Sequence, residues 1–175
     1  MQFSINGAAV TIAVALLTAC TPEAKQDPAV EAMRAAAAAE SQMLASLATW
    51  IEAWDTGNTD TLDAITAPGV QRTAPDVNAN GLEEYKAVIA EVRTVYPDFR
   101  ITNDGSAVGA DGGFVQWTVT GTDSGTEDAT GNALRITGIS RYQFEDGKII
   151  SEFVVFDTAA VLSQLKREEL PRNRE

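Results

Sequence analysis

Histidine is absent from all 175 residues, and cysteine occurs once, at Cys20. The missing imidazole excludes Ser-His-Asp and Cys-His catalysis, His-ligated metals and histidine pH switches. Basic residues are scarce, 13 Lys and Arg against 25 Asp and Glu, which sets the net charge at −12 and the isoelectric point near 4.3. Such a surface repels phosphate backbones and no basic patch opposes it, so nucleic acid is not an expected partner. No apolar run reaches the roughly 20 residues of a membrane-spanning helix. Asp123, Glu127 and Asp128 crowd one stretch but lack the spacing of a calcium loop and read as a solvated turn. No metal and no cofactor is expected.

What is present fits one domain, since 175 residues with 45% hydrophobic and 22% charged side chains suffice for one full core but not for two ordinary ones. Ala8 to Ala19 has the length of a secretory h-region, although Met1 to Gly7 carries no basic residue. Leu17-Thr18-Ala19-Cys20 resembles a bacterial lipobox, and places a diacylated Cys20 at the mature terminus; a buried or reactive thiol is the other reading. Residues 1–19 thus read as a lipoprotein signal peptide, directing the chain to the bacterial cell envelope with its anchor in the membrane. Residues 20–42 read as a polar tether and an alanine-rich helical extension, 43–167 as the domain, and 168–175 as a charged tail.

The domain opens on a helix that carries no Pro or Gly from Ala29 to Asp55, with Met43, Leu47, Trp50, Ile51 and Trp54 at helical spacing. Gly57 ends it, and Thr59 or Asp60 starts a short helix through Ala67. Val70 to Ala74, bracketed by prolines, suggests an edge strand. A helix over Leu82 to Tyr96 presents Leu82, Tyr85, Val88, Ile89, Val92 and Val95 on one face and stops at Pro97. Strands are expected over Phe99 to Asn103, Ala107 to Val108, Phe114 to Thr122, Ala133 to Phe144 and Ile149 to Phe156, and a last helix over Thr158 to Arg167. Between the last two strands sits Asp146-Gly147, a strong hairpin signal because a type I′ turn needs positive φ at both central residues. The layout is α+β.

Gly138-Ile139-Ser140 with Tyr142, Phe144-Glu145-Asp146-Gly147-Lys148-Ile149, and an aromatic residue four positions before Asp157 resemble the SnoaL-like polyketide cyclase branch of the NTF2-like superfamily. Trp117 to Gly125 is similar to its W-x-x-x-G-T-H-x-G, Tyr96 to Phe99 to its aromatic-Pro-Asp-hydrophobic element, and Trp54 to Asp60 to its opening W-x-x-G-D. The resemblance spans about Ala45 to Leu165. It implies a cone in which a strongly curved, mostly antiparallel sheet wraps the N-terminal helices around a pocket, and a homodimer formed through the sheet. It implies a small apolar ligand and isomerase-, cyclase- or hydrolase-type chemistry, or a non-catalytic ligand-binding or interaction module.

The resemblance also carries a general acid/base role onto Asp157. Alternation puts Ser151, Phe153, Val155 and Asp157 on one face of the last strand and Ile150, Glu152, Val154 and Phe156 on the other. An apolar surround from Phe153 and Val155 would raise the carboxyl toward useful proton transfer. Asp157 also directly precedes Thr158-Ala159-Ala160 and is equally well placed to cap the last helix. Trp54, Tyr85, Trp117, Arg141, Gln143 and Phe153 are the candidate ligand contacts, with Gln116 beside them. Arg141 or Tyr142, whichever faces inward, would steady a developing enolate. Two family histidines are missing: Asp123 holds the position of one, and Val70 to Thr73 lacks the other. Val154 and Phe156 form the apolar outer face expected to meet a second copy.

Overall fold

The computed structural model describes residues 27–110 and 112–170. Asp27 accepts a hydrogen bond from the amide of Ala29, Pro28 takes the first helical position, and helix α1 runs unbroken over Pro28–Thr56. Gly57, at φ 78°, ends it in the left-handed conformation. Through Gln42 every residue of α1 is exposed, whereas Leu47, Trp50, Ala53 and Trp54 are buried. The helix enters the core only over its last three turns.

A 3-10 turn, Thr59–Thr61, and a single-turn helix α2, Leu62–Ile65, lead into strand β1, Thr66–Thr73. Next come β2 (Ala79–Asn80), helix α3 (Leu82–Val95), β3 (Arg100–Gly109), β4 (Gly112–Thr122), β5 (Ala133–Glu145), β6 (Lys148–Phe156) and helix α4 (Thr158–Leu165). The sheet order is β2-β1-β6-β5-β4-β3. Neighbours are antiparallel except for β1, which runs parallel to β6. This is a mixed α+β fold built on one open, curved six-stranded sheet. Asp146 at φ 49° and Gly147 at φ 75° form the expected turn between β5 and β6.

Two expectations are corrected. β1 is an interior strand, covered by two-residue β2 on one side and β6 on the other; its one proline, Pro68, is tolerated because the pairing with β6 lapses between Thr66 and Gln71. The two pieces expected at Phe99 to Asn103 and Ala107 to Val108 are one strand, Arg100–Gly109, bulged between Asn103 and Gly105.

Helices α1 and α3 lie against the concave face. Arg93 of α3 donates to the carbonyls of Trp54 and Asp55 at 3.1 and 2.8 Å, and the Asp55 carboxylate accepts from the amide of Ile101 at 3.0 Å. The end of α1 is thereby tied to both α3 and β3. On the concave face Trp117 of β4 lies over Gly138 of β5, where an added Cβ would fall 2.3 Å from the indole ring. A glycine there is what lets that indole lie flat in the floor. Among the described residues no helix is long and apolar enough to cross a membrane.

Candidate functional site

Between the concave face and the helices is a cavity of about 110 Å³. Trp50 and Trp54 of α1, Phe99, Trp117, Val154 and Phe156 give it apolar walls. One end is polar, because three adjacent strands present charge or hydroxyl at the same level. Arg72 of β1 pairs in register with Glu152 of β6, and Glu152 with Tyr142 of β5. Every one of these side chains points inward and is at most 4% exposed.

Glu152 is the hub. Its Oε1 accepts from the Tyr142 hydroxyl at 3.0 Å, and its Oε2 accepts from the Tyr85 hydroxyl of α3 at 2.5 Å. The Trp50 indole N–H donates in turn to the Tyr85 oxygen. Arg72 Nε stands 3.6 Å from Glu152 Oε2, while its two Nη atoms bond the Asp76 carboxylate at 3.0 and 3.2 Å and Nη1 also donates to the Val77 carbonyl. The guanidinium lies 5.7 Å from the Trp54 ring centroid.

Burial pushes the Glu152 carboxyl above its ordinary value, and Arg72 with the hydroxyls of Tyr85, Ser140 and Tyr142 offsets only part of that push. The same burial, reinforced by the Glu152 charge, holds the Tyr85 and Tyr142 hydroxyls well above theirs, so both remain donors. Burial works against the Arg72 charge, but Glu152 and Asp76 more than compensate and leave it firmly cationic. With Glu152 ionised the cluster holds two carboxylates against one guanidinium.

Among the described residues two buried donors make no hydrogen bond: Trp54 Nε1, and Arg72 Nε, which faces Glu152 only at the ion-pair distance given above. Both belong to residues of the cavity wall. A buried N–H without an acceptor costs about 1–3 kcal/mol, so an oxygen arriving beside them relieves a penalty already present.

The sequence profile of the SnoaL-like domain family matches residues 47–152, more than half of the chain. The chain belongs to the SnoaL-like family. Solved structures agree on the fold of this SnoaL-like protein. A Jannaschia sp. CCS1 protein proposed as a SnoaL-like polyketide cyclase is 18% identical and superposes with a TM-score of 0.66 over 74% of this chain and 95% of its own. TsrD from Streptomyces laurentii is 22% identical, with a TM-score of 0.65 over 71% and 95%. A Catenulispora acidiphila protein with a ketosteroid isomerase-like fold, solved with trimethylamine, is 15% identical, with a TM-score of 0.62 over 72% and 97%. No curated protein matches the chain.

The SnoaL-like fold divides the residues picked from the sequence into two groups. Trp54 and Trp117 line the cavity, the latter donating to Ser140 Oγ at 3.0 Å, and Tyr85 bonds Glu152 behind its wall. Arg141, Gln143 and Phe153 are exposed on the convex face of the sheet, as is Gln116, and Gln143 there accepts from Ser151. Tyr142, not Arg141, is the inward member of its pair. Asp157 is exposed at the end of β6, and its carboxylate accepts from the amide of Ala160 at 2.9 Å, capping α4. It does not border the cavity, and its expected pocket face is the convex one. Val154 and Phe156, expected outside, point inward, while Phe153 and Val155 point out. Cys20 lies outside the described residues.

Sequence reasoning passed over Glu152 and Arg72. A lone carboxylate between Ile150 and Val154 on an apolar face was the available signal, since such a group stays buried only with partners. Its partners come from β1 and α3, far away in sequence.

Proposed function

We propose that this protein binds a small, largely apolar carbonyl compound in the concave cavity and moves a proton on it with Glu152 as the general acid/base, in an isomerase- or cyclase-type reaction. The observation that carries this reading is the position of Glu152: a buried carboxyl of raised pKa at the polar end of an apolar cavity whose wall includes Arg72 and Trp54, each with a donor that makes no hydrogen bond among the described residues. A neutral ligand fits best, because most of the cavity wall is apolar. The carbonyl oxygen accepts from Arg72 Nε and Trp54 Nε1. Glu152 takes a proton from the carbon next to the carbonyl, and the electron pair left behind moves onto that oxygen as an enolate. Where a carbon–carbon double bond adjoins that carbon, returning the proton from Glu152 to its far end shifts the double bond and isomerises the molecule; attack of the enolate carbon on a second carbonyl closes a ring and leaves an alkoxide that takes the proton back from Glu152. Tyr85 and Tyr142 hold the carboxylate in place.

The test is deuterium exchange at the α-carbons of a panel of cyclic ketones and β-keto esters, followed by NMR. Glu152→Gln is expected to lower the catalysed exchange by about 10²- to 10⁴-fold, the usual contribution of a positioned acid/base. Exchange equal to that of wild type in the variant would overturn the assignment.

One observation favours binding without turnover: both Glu152 oxygens already receive tyrosine hydrogen bonds, which stabilise the carboxylate against accepting a proton. In that case ketones bind the wild type and no exchange follows.

The setting of the protein belongs to the same proposal. Cys20 carries a lipid that anchors the domain at the cell envelope, checked by mass spectrometry of the membrane fraction for a diacylglyceryl adduct lost in Cys20→Ser. Two copies pair through the convex face, where Phe114, Ile139, Phe153 and Val155 are about half exposed around Arg141.

A further inference from the structure

The residues after β6 lie beyond the family match, yet they reach the same cavity. Val161 of α4 and Leu170 beyond it belong to the wall, together with Val92, Tyr96 and Asp76. Asp76, Val92, Ile136, Phe156 and Leu170 are the half-buried members of that wall and mark the mouth.

The chain between α4 and Leu170 is fastened at several points. Leu165 is fully buried and its carbonyl accepts from Asn132 Nδ2 at 3.2 Å. Lys166, at φ 54°, turns the chain, and the amide of Arg167 bonds back to the Leu162 carbonyl at 3.1 Å. The Arg167 guanidinium then grips the β4–β5 connection. Its Nε and Nη2 meet the two oxygens of Asp123 at 2.7 and 3.0 Å, its Nη1 meets Asp128 Oδ2 at 3.0 Å, and Nη2 also bonds the Asp128 carbonyl. Asp123 is wholly buried, and the amide and hydroxyl of Thr130 complete its shell. A carboxylate so fully engaged has no capacity left for proton transfer. Its work is to hold Arg167.

We infer that Lys166–Leu170 is a strap across the cavity mouth, latched by Arg167 on Asp123 and Asp128, and that Leu170 sets how long a ligand can be. The inference rests on the cavity being the ligand site. With the strap in place the cavity of about 110 Å³ suits a single ring or a short chain; a longer molecule must displace Leu170. The strap tethers its plug three residues past the latch, so the leucine can swing while Arg167 stays bound.

All three tryptophans of the chain line this cavity, so its fluorescence reports access directly. The experiment compares the full chain with Leu170→Ala and Arg167→Gln, each checked for folding by circular dichroism and thermal melting. It uses acrylamide, a small neutral quencher, and a series of linear 2-alkanones from five to eleven carbons. In both variants the quenching constant is expected to rise by about twofold or more, as local opening exposes the indoles. In Leu170→Ala the longest ketone bound gains about two or three methylenes, matching the side-chain volume removed. Unchanged quenching in two folded variants would overturn the strap. If the ketones bind and the length limit does not move in Leu170→Ala, the strap fails and the cavity reading stands. If no ketone binds at all, the cavity reading fails, and the acrylamide comparison still decides the strap.

Discussion

Two buried carboxylates a few strands apart meet opposite fates. Asp123 faces a bidentate guanidinium and two Thr130 donors; burial raises its pKa, but these partners outweigh it and the net value falls below the ordinary one. Glu152 faces burial with an arginine shared with Asp76, and its net value rises. The consequences for stability have opposite signs. A lowered folded pKa gives stability present above the unfolded value, near 3.8 for Asp123, and lost as pH falls through the folded one. A raised folded pKa gives stability present below the unfolded value, near 4.5 for Glu152, and lost as pH rises through the folded one. Urea midpoints should therefore fall at the acid end in wild type and Glu152→Gln alike. From about pH 4.5 upward the wild type should decline relative to Glu152→Gln, and a constant difference across that range would remove Glu152 as a strained carboxyl.

At the scale of elements, the β6–α4 junction shows how an end-of-strand carboxylate can mimic a pocket residue. Asp157 caps α4 through the Ala160 amide, so Asp157→Ala should lower stability by about 1 kcal/mol in urea denaturation, as loss of an N-cap does. Ketone exchange should be unaffected, and a matching loss of exchange would return Asp157 to the reaction. The hairpin turn was legible beforehand because Asp146 and Gly147 act locally, and so was the buried stripe of α1, which depends only on helical spacing. The inward face of β6 was not legible. Both faces of Ile149 to Phe156 are largely apolar, so alternation alone cannot decide between them. What decides is the register with β1 and β5, which sets Glu152 between Arg72 and Tyr142. The pairing with Arg72 joins residues 80 positions apart and leaves no local trace in either strand.

For the molecule as a whole, the open sheet divides function between its faces: a concave side that closes on a cavity, and a convex side that leaves an apolar patch in water. The patch is the surface through which copies pair in the present account. Phe153→Glu should leave the fold intact, since its neighbours Glu152 and Val154 carry the inward contacts, and should halve the mass seen by sedimentation equilibrium. An unchanged mass would place any pairing elsewhere. The missing histidines follow the same division. Asp123, in one family histidine position, is paired with Arg167 away from the cavity, while Arg72 and Glu152 pair at the cavity wall. The general fold was readable from the family resemblance, but the resemblance pointed to Asp157, whereas packing buries Glu152, the carboxyl proposed here for proton transfer, five residues earlier on the opposite face.

The measurement that bears most directly on this account is the pKa of the Glu152 side-chain carboxyl, followed by carbon-detected NMR with and without a bound cyclic ketone. A value above the ordinary ~4.3 for glutamate that shifts when the ketone enters is expected. An ordinary Glu152 value indifferent to every ketone would mean that the buried cluster only holds the sheet to the helices and that the cavity is not a site of proton transfer.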